Sequence, residues 1–177
     1  MRKLKNEELG RKTIEEFKEA AKEPIVIVLD NVRSLNNIGS IFRTADAFLI
    51  EAIYLCGITA QPPHKDIQKT ALGATESVTW KHFTTTKDAL IELKEAGYKI
   101  IIIEQIDKSI SLADFIPQQV TKYALVFGNE ITGIDDSLLP YSDECIEIFQ
   151  RGTKHSLNIA VSVGIVVWDF CNKLNPI

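Results

Sequence analysis

Cysteine is scarce in this chain of 177 residues. The three cysteines, Cys56, Cys145 and Cys171, form no Cys-x-x-Cys pair and no cluster with histidine. The sequence therefore indicates neither a disulfide framework nor a structural zinc site, and each cysteine is interpreted as a small buried apolar side chain. No apolar stretch of the signal-peptide type opens the chain, so a cytoplasmic protein with reduced thiols is expected.

Several motifs of catalysis and cofactor binding are also missing. The chain contains no Gly-x-Gly-x-x-Gly fingerprint and no Gly-x-x-x-x-Gly-Lys-Ser/Thr loop, which argues against a dinucleotide site and against a P-loop nucleotidase. It contains no Gly-x-Ser-x-Gly nucleophile elbow. The histidines lack the spacing of metal ligands and are interpreted as surface residues: His64, His82 and His155. No metal site is therefore expected.

An excess of basic charge is absent too. The formal net charge is −4, with 25% charged and 45% hydrophobic residues, as in ordinary soluble single domains. A nucleic-acid partner would therefore need a local basic patch. Residues 1–23 are highly charged with a basic start, and Leu9, Thr13 and Phe17 recur at near-helical spacing. An amphipathic helix that ends at Pro24 is predicted there, with a polar face that contacts either RNA or only solvent.

The chain does have a regular alternation of strand and helix patterns. Short aliphatic runs predict strands at 25–29, 52–55, 78–83, 99–104, 123–127 and 144–149, and amphipathic patterns predict helices at 38–49, 66–71 and 86–96. This order predicts an α/β fold with a mainly parallel sheet flanked by helices. Ligands of such sheets bind beyond the carboxyl ends of the strands. The polar loops 30–37, 128–136 and 150–156 are therefore expected to gather at one edge.

The stretch 151–170 begins polar and basic and then turns apolar without a break. Its apolar part contains only three polar side chains, which share a narrow stripe of a helix: Asn158, Ser162 and Asp169. A helix that is apolar nearly all round is buried in a core or an interface, and this one is too short and interrupted to span a membrane. Ser156 is predicted to be its N-cap. The glycine loop before it offers free backbone N–H groups to a polar ligand.

Five polar side chains in or near these loops are candidate functional residues: Asn37, Arg43, Glu130, Ser156 and Asn158. Each has an ordinary structural alternative when taken singly. Asn37 could cap a helix, Arg43 could form an exposed ion pair, and Asn158 could be a buried hydrogen-bonding group. Arginine is a poor base because its pKa is very high, but it is a good clamp for phosphate. The predicted meeting of three loops favours a functional site.

Three segments resemble the motifs of the TrmH/SpoU type of SPOUT RNA methyltransferases. They are NNIGSIFRTADAF at 36–48, LVFGNEITGI at 125–134 and IFQRGTKHSLNIAV at 148–161. They stand in the order of the family and connect most of residues 25–170 to it. The resemblance implies an α/β sheet whose C-terminal segment forms a deep trefoil knot. It divides the chain into a charged N-terminal helix extension at 1–24 and a SPOUT methyltransferase domain at 25–177.

The resemblance also implies an activity. The family transfers a methyl group from S-adenosylmethionine to a ribose 2′-hydroxyl of tRNA or rRNA, usually as a homodimer. The implied cofactor-binding residues are Gly128, Asn129, Ile148, Gly152 and Leu157. The implied catalytic residues are Arg43, which helps to activate the hydroxyl, and Asn37, Glu130, Ser156 and Asn158. The small basic N-terminal helix favours tRNA over rRNA, and the alternative is a non-catalytic RNA- or cofactor-binding module.

Two further expectations concern the C-terminal motif. Ile148-Phe149 stands where the family often has Ile-Pro, so the path of this loop is left open. The C-terminal helix is expected to form the homodimer interface, because Val163, Val166, Val167 and Phe170 would stay partly exposed on a monomer, next to Trp168. The alternative is a helix central to the monomer and covered by the N-terminal helix.

Overall fold

Seven strands and six α-helices occur among residues 1–175, the part of the chain that the computed structural model describes. The strands are β1 (Glu23–Asp30), β2 (Ile50–Cys56), β3 (Thr79–Phe83), β4 (Tyr98–Ile103), β5 (Ile110–Ser111), β6 (Lys122–Phe127) and β7 (Glu144–Glu147). The helices are α1 (Ile14–Glu19), α2 (Leu35–Ala47), α3 (Lys65–Ala71), α4 (Ala74–Ser77), α5 (Thr86–Glu95) and α6 (Ile159–Leu174). Residues 176 and 177 of the predicted domain lie outside the described part.

The strands form one parallel sheet in the order β3-β2-β1-β6-β4-β7-β5. Every strand pairing in it is parallel, which confirms the predicted α/β class. Strand β6 pairs with both β1 and β4, so the carboxyl ends of β1, β6, β4 and β7 stand side by side. Their four following loops therefore open at one edge of the sheet, which is where ligands of such sheets bind.

Alternate residues of the central strands pack into two hydrophobic clusters on opposite faces of the sheet. Ile25 and Ile27 belong to a cluster that includes residues of α2, α3 and α6, whereas Val26 and Val28 belong to a cluster that includes residues of α5. This follows from the two-residue period of a strand. Because helices cover both faces, the strands are uninterrupted aliphatic runs in the sequence.

The N-terminal segment is not the single amphipathic helix predicted for residues 1–23. A 3₁₀ helix at Asn6–Leu9 ends at Gly10, whose φ of 56° is left-handed. Thr13 then caps the short helix α1 by accepting a hydrogen bond from the N–H of Glu16 at 3.2 Å. Phe17 is buried in the core, so this segment packs onto the domain.

Two helix starts differ from the predicted ones. Ser34 caps α2 by accepting the N–H of Asn37, so Asn37 lies inside the first turn rather than at the cap. Asn158 caps α6 by accepting the N–H groups of Ala160 and Val161, so the N-cap predicted at Ser156 is wrong. In both cases the observed N-cap is a residue type that caps helices well. The path of the preceding loop determines which of the neighbouring polar residues takes the N-cap position.

The other predicted elements agree with the structure, with three omissions. Every predicted strand overlaps an observed one, and the predicted helix 86–96 corresponds to α5, which is followed by Gly97 at a left-handed φ of 82°. Strand β5, helix α4 and the 3₁₀ helix at Asp136–Tyr141 were not predicted. All three are too short to produce a periodic pattern of apolar residues.

Helix α6 is buried within the chain itself. Val163, Val166, Val167 and Phe170 are each 0% exposed, so the prediction that they stay partly exposed on a monomer is wrong. These side chains belong to the same cluster as the inward face of α2. The exposed apolar residues of α6 form a different stripe, Val161, Ile165 and Trp168, at 50%, 38% and 56%. Within residues 1–175, none of the helices has the length and apolarity needed to cross a bilayer.

Candidate active site

A cavity of about 560 Å³ opens at the carboxyl edge of the sheet, among the loops that follow β4, β6 and β7. Its lining comes from residues 103–105, 127–133, 147–148 and 155–159, together with Gln150 and Ser162. Two of the three predicted loops therefore line one cavity. Of the predicted cofactor-binding residues, Gly128, Asn129, Ile148 and Leu157 are in this lining, and Gly152 is not.

Glu130 connects the loop after β6 to the start of α2. Its Oε2 accepts the N–H of Arg33 at 3.2 Å, and its Oε1 accepts the N–H of Ser34 at 3.3 Å and the Nδ2 of Asn37 at 3.1 Å. Partial burial raises the pKa of Glu130, but these hydrogen bonds and one from its own backbone outweigh burial and hold the pKa below its usual range. Glu130 is therefore a charged acceptor that fixes the start of α2, and its low pKa makes it a weak base.

Asn37 connects Glu130 to Asn158. The Oδ1 of Asn37 accepts the Nδ2 of Asn158 at 3.1 Å, while the Oδ1 of Asn158 caps α6. A hydrogen-bonded chain, Glu130–Asn37–Asn158, thus joins segments 93 and 121 residues apart in the sequence. The prediction that the three polar loops gather at one edge is confirmed.

The loop at 128–134 is closed tightly on itself. The Oδ1 of Asn129 accepts the N–H groups of Ile131 and Thr132 at 2.8 and 2.9 Å, and its Nδ2 donates to the Oγ1 of Thr132. A Cβ at Gly128 would lie 2.2 Å from the carbonyl carbon of Gly133. Glycine is therefore needed at 128 because two parts of the backbone approach each other, which the motif alone does not reveal.

Glu104 also lines the cavity, although it was not among the predicted site residues. Its Oε2 accepts the N–H of Ile134 at 3.2 Å, and its Oε1 accepts the N–H of Gln105 at 2.9 Å. Its carboxylate thus connects the loops after β4 and β6. The available signal was its place directly after the buried aliphatic run of β4, where a parallel sheet presents ligand-facing groups.

The loop at 149–158 is open by comparison. Residues 151–158 are all exposed, although Ser156 and His155 line the cavity, so His155 has a more specific place than a general surface position. A Cβ at Gly152 would meet no atom within 4 Å. Phe149, at the position where the family often has proline, is exposed, and the guanidinium of Arg151 lies 5.8 Å from its ring centre.

Arg43 lies apart from this cavity. It is exposed on α2 and lines a second, shallower depression, together with Ser40, Thr44 and Lys69. Arg43 is six residues beyond Asn37, which places it about 9 Å along the helix and about 120° around it. The structure therefore brings together four of the five predicted catalytic residues and leaves Arg43 on a different side of α2.

The cysteines and the candidate metal ligands add little to the site. Cys56 is buried and Cys145 and Cys171 are partly buried, all as free thiols. Burial raises the pKa of Cys56 and of Cys171 to about 12, so neither forms a reactive thiolate near neutral pH. No group of three or more His, Cys, Asp or Glu side chains within the described residues could hold a metal ion.

The fold and the cavity define a ligand-binding α/β protein with its site at the carboxyl edge of a parallel sheet. The particular family follows from a direct match. Residues 24–168 match the model of the SpoU rRNA Methylase family, so the chain belongs to that family. The predicted TrmH/SpoU resemblance is thereby confirmed.

One similar protein is the 23S rRNA (guanosine-2′-O-)-methyltransferase RlmB of Neisseria meningitidis. It is 31% identical over 144 residues, which make up 81% of this chain and 56% of that protein. The chain therefore spans little more than half the length of this relative.

Two solved structures share the fold. The TrmH/SpoU tRNA modifying enzyme of Aquifex aeolicus has a TM-score of 0.79 and 23% identity, over 90% of this chain and 80% of that one. The AdoMet-bound rRNA methyltransferase of Sinorhizobium meliloti has a TM-score of 0.78 and 24% identity, over 88% of this chain and 59% of that one. At these identities the two structures establish the common fold.

Proposed function

We propose that this chain is an S-adenosylmethionine-dependent methyltransferase that acts on a ribose 2′-hydroxyl of RNA. Its membership of the SpoU family and the activity in the name of the Neisseria relative support the proposal. The observation in this chain that carries it is the Glu130–Asn37–Asn158 hydrogen-bonded chain, which ties all three motif segments together beside one cavity.

The cavity suits the proposed cofactor in size and in charge. A volume of about 560 Å³ lies within the range of small-molecule sites. Its lining includes the carboxylates Glu104, Glu130 and Glu147 and, among the described residues, no lysine or arginine. Such a lining favours a ligand with positive groups, and S-adenosylmethionine carries a sulfonium and an ammonium. When bound, the cofactor supplies an electrophilic methyl group on a good leaving group.

The residues that would hold the cofactor are those of the two loops in the lining. The proposed cofactor contacts are Gly128 and Asn129, in the loop that is already closed, together with Ile148 and Leu157. Gly152 was also predicted to bind the cofactor, but it lies outside the lining, so we propose no direct contact between Gly152 and the cofactor. Ile148 and Leu157 offer apolar surface to the flat part of a nucleoside.

The remaining task of the protein is to position the hydroxyl and remove its proton. A ribose hydroxyl is a weak nucleophile, so it must be held in line with the methyl group and lose its proton as it attacks. Asn37, Ser156 and Asn158 would orient the ribose, and Glu130 would keep the amide of Asn37 in one orientation. Arg43, which lines a separate depression, would bind a phosphate of the substrate, and that phosphate would orient the guanidinium and pass the proton of the hydroxyl to solvent.

The proposal includes the trefoil knot that the resemblance implies. Support comes from the course of the segment between β7 and α6. Although β7 lies towards one end of the sheet, Asn158 reaches α2 beside β1, and the carbonyl of His155 accepts the Nε2 of Gln105 at 3.2 Å in the loop after β4. Mechanical extension of the unfolded chain tests the knot, because a knotted chain stops short of the contour length of an open one.

The proposal also includes a homodimer through α6, with an interface different from the one first expected. The stripe Val161, Ile165 and Trp168 is exposed along one side of the helix and could cover itself across a two-fold axis. We expect Trp168→Glu to shift a dimer towards the monomer in sedimentation at micromolar concentration. A clean species at the 19.8 kDa monomer mass for the wild-type protein would contradict the dimer.

We further propose a cytoplasmic protein with tRNA rather than rRNA as substrate. Residues 1–23 precede the family match, and five basic side chains lie in their first twelve positions: Arg2, Lys3, Lys5, Arg11 and Lys12. One of these charges is already paired, because Arg2 contacts Glu8 at 2.6 Å. Arg33, Arg151 and Lys154 are the other candidate RNA contacts. Mapping 2′-O-methyl positions in RNA from cells with and without this protein tests the choice of substrate.

Transfer of labelled methyl from S-adenosylmethionine to bulk RNA tests the activity itself. We expect transfer by the wild-type protein, loss of transfer in Arg43→Ala and poor transfer in Arg43→Lys, because an ammonium cannot replace a planar fork of donors. Cofactor affinity should persist in both variants. Cofactor and RNA binding without any transfer by the wild-type protein would instead support the non-catalytic binding module.

A further inference from the structure

A second depression lies between α2 and α3 and shares no lining residue with the cofactor cavity. Its volume is about 480 Å³. The charged residues of its lining are both cationic, Arg43 from α2 and Lys69 from α3. The proposed function uses Arg43 and gives no role to Lys69.

The two cations are carried by helices that are locked together. A Cβ at Gly39 of α2 would lie 2.1 Å from the Oγ1 of Thr70 and 2.2 Å from the carbonyl oxygen of Ile67, so the helices meet backbone to backbone. The Oγ1 of Thr70 donates to the carbonyl of Asn36 at 2.9 Å. Because Thr70 follows Lys69 directly, the backbone of Lys69 is fixed relative to the helix that carries Arg43.

The hydroxyl groups of the depression have their protons engaged elsewhere. The Oγ of Ser40 donates to the carbonyl of Asn36 at 2.9 Å, the Oγ1 of Thr44 donates to the carbonyl of Ser40 at 3.1 Å, and Thr70 donates to Asn36. They are therefore acceptors towards any ligand, and an anion in the depression depends on the two cations.

Lys69 is held near the depression by an exchangeable partner. Its Nζ lies 2.6 Å from the Oδ1 of Asp66, with side chains 66% and 31% exposed. Exposed pairs of this kind are weak, so the ammonium can leave the carboxylate for a phosphate group. Asp66 thus competes with an incoming anion and also keeps the ammonium close to where the anion would bind.

We propose that Arg43 and Lys69 together bind one backbone phosphate of the RNA substrate, and that Lys69 is a substrate-binding residue of the enzyme. This inference rests on the proposed function. The guanidinium offers a planar fork to two phosphate oxygens, and the ammonium adds a compact charge to a third. The pair makes the site selective for ribose within a polynucleotide, since a free nucleoside has no phosphate to fill the depression.

Salt-dependent binding of tRNA to the 177-residue protein tests this role. The logarithm of the binding constant falls linearly with the logarithm of the salt concentration, and each phosphate contact adds about 0.7–0.9 to the steepness of this slope. We expect Lys69→Ala to weaken tRNA binding and to reduce the slope by about that amount, with unchanged affinity for S-adenosylmethionine. Lys65→Ala is the matched control, because Lys65 is an exposed lysine of the same helix outside the depression, and it should keep the wild-type slope. An unchanged slope in Lys69→Ala would overturn the inference.

The tRNA affinity of the Asp66→Asn variant distinguishes a role of Lys69 in binding from a purely structural role of α3. Removal of the competing carboxylate should strengthen tRNA binding, whereas damage to the helix would weaken it. Added inorganic phosphate should displace tRNA no more than another salt of the same ionic strength does. Specific displacement by low phosphate would indicate a general anion site and overturn the assignment to RNA.

The outcomes separate the two proposals. A wild-type protein that neither binds S-adenosylmethionine nor methylates RNA overturns the proposed function. An active wild-type protein whose slope is unaffected by Lys69→Ala overturns only the role of Lys69.

Discussion

The loops that follow β6 and β7, which both line the cofactor cavity, are built in different ways. The loop at 128–134 is closed by the side chain of Asn129, by the contact of Gly128 with Gly133 and by Glu104, which accepts the N–H of Ile134. The loop at 149–158 has exposed residues at 151–158 and open space around Gly152. One wall of the cavity is therefore held by contacts within its own loop, and the other is exposed and has open space around Gly152.

This difference shows that a glycine in a motif does not disclose its own role. Gly128 and Gly152 were both predicted to bind the cofactor. Gly128 is needed for a close approach of two backbone segments, whereas Gly152 has neither a close neighbour nor a left-handed φ. A preformed wall lowers the ordering cost of binding, and an open loop increases it.

The largest effect should come from Gly128→Ala. The added Cβ meets the backbone at Gly133 and Ile134, which cannot move aside like a flexible side chain. We expect a loss of about 2–3 kcal/mol in the free energy of unfolding, measured with urea, and weaker cofactor binding by calorimetry. A variant as stable as the wild type would mean that the closed loop can rearrange, and the contrast between the loops would fail.

Asn129→Ala should have a smaller effect on the same loop. The change removes the acceptor for the N–H groups of Ile131 and Thr132. We expect a loss of about 1 kcal/mol in the free energy of unfolding. Asn129→Asp keeps an acceptor oxygen and should recover most of that loss. Equal losses in the two variants would argue that the hydrogen bonds to Oδ1 do not close the loop.

Acid should loosen the connection between the closed loop and α2. The pKa of Glu130 is lowered in the folded state, so its stabilisation is fully present above the ordinary value of about 4.3 and is lost as the pH falls through the folded-state pKa. Glu130→Gln removes this dependence. The stability gap between wild type and variant, below about 1 kcal/mol at pH 7 because solvent screens the carboxylate, should shrink towards pH 3. A constant gap would contradict this account.

Gly152→Ala should have the smallest effect. No atom lies within 4 Å of the added Cβ, so the free energy of unfolding should stay within about 0.5 kcal/mol of the wild type. Cofactor affinity, measured by calorimetry, should also be unchanged. A large loss of affinity with normal stability would place Gly152 in contact with the bound ligand and restore its predicted role.

The strands were predictable because burial on both faces requires uninterrupted aliphatic runs in the sequence. The burial of α6 was not, because an apolar helix has the same pattern in a monomer core and in a subunit interface. The N-terminal segment was misjudged for another reason. Near-helical spacing of Leu9, Thr13 and Phe17 says nothing about the left-handed turn at Gly10, which divides the segment.

The candidate site was predictable as a set of residues and less so as a geometry. The polar loops supplied Asn37, Glu130 and Asn158 as candidates, the resemblance added their implied roles, and the alternation of strands and helices predicted that their loops meet at one edge. Periodicity accounts for the position of Arg43 off the buried face of α2. It could not tell which cavity Arg43 lines, because that depends on the packing of α3 against α2.

The distance in sequence between Asn37 and Asn158 has a consequence for synthesis on the ribosome. The two residues are 121 positions apart, so at about 5–20 residues per second roughly 6–24 s separate their translation. During most of this interval β1 can pair with β2, but its other edge waits for β6. An unpaired apolar edge strand is prone to aggregation. The free edge of β1 is therefore open to wrong strand pairing until β6 has emerged from the ribosome.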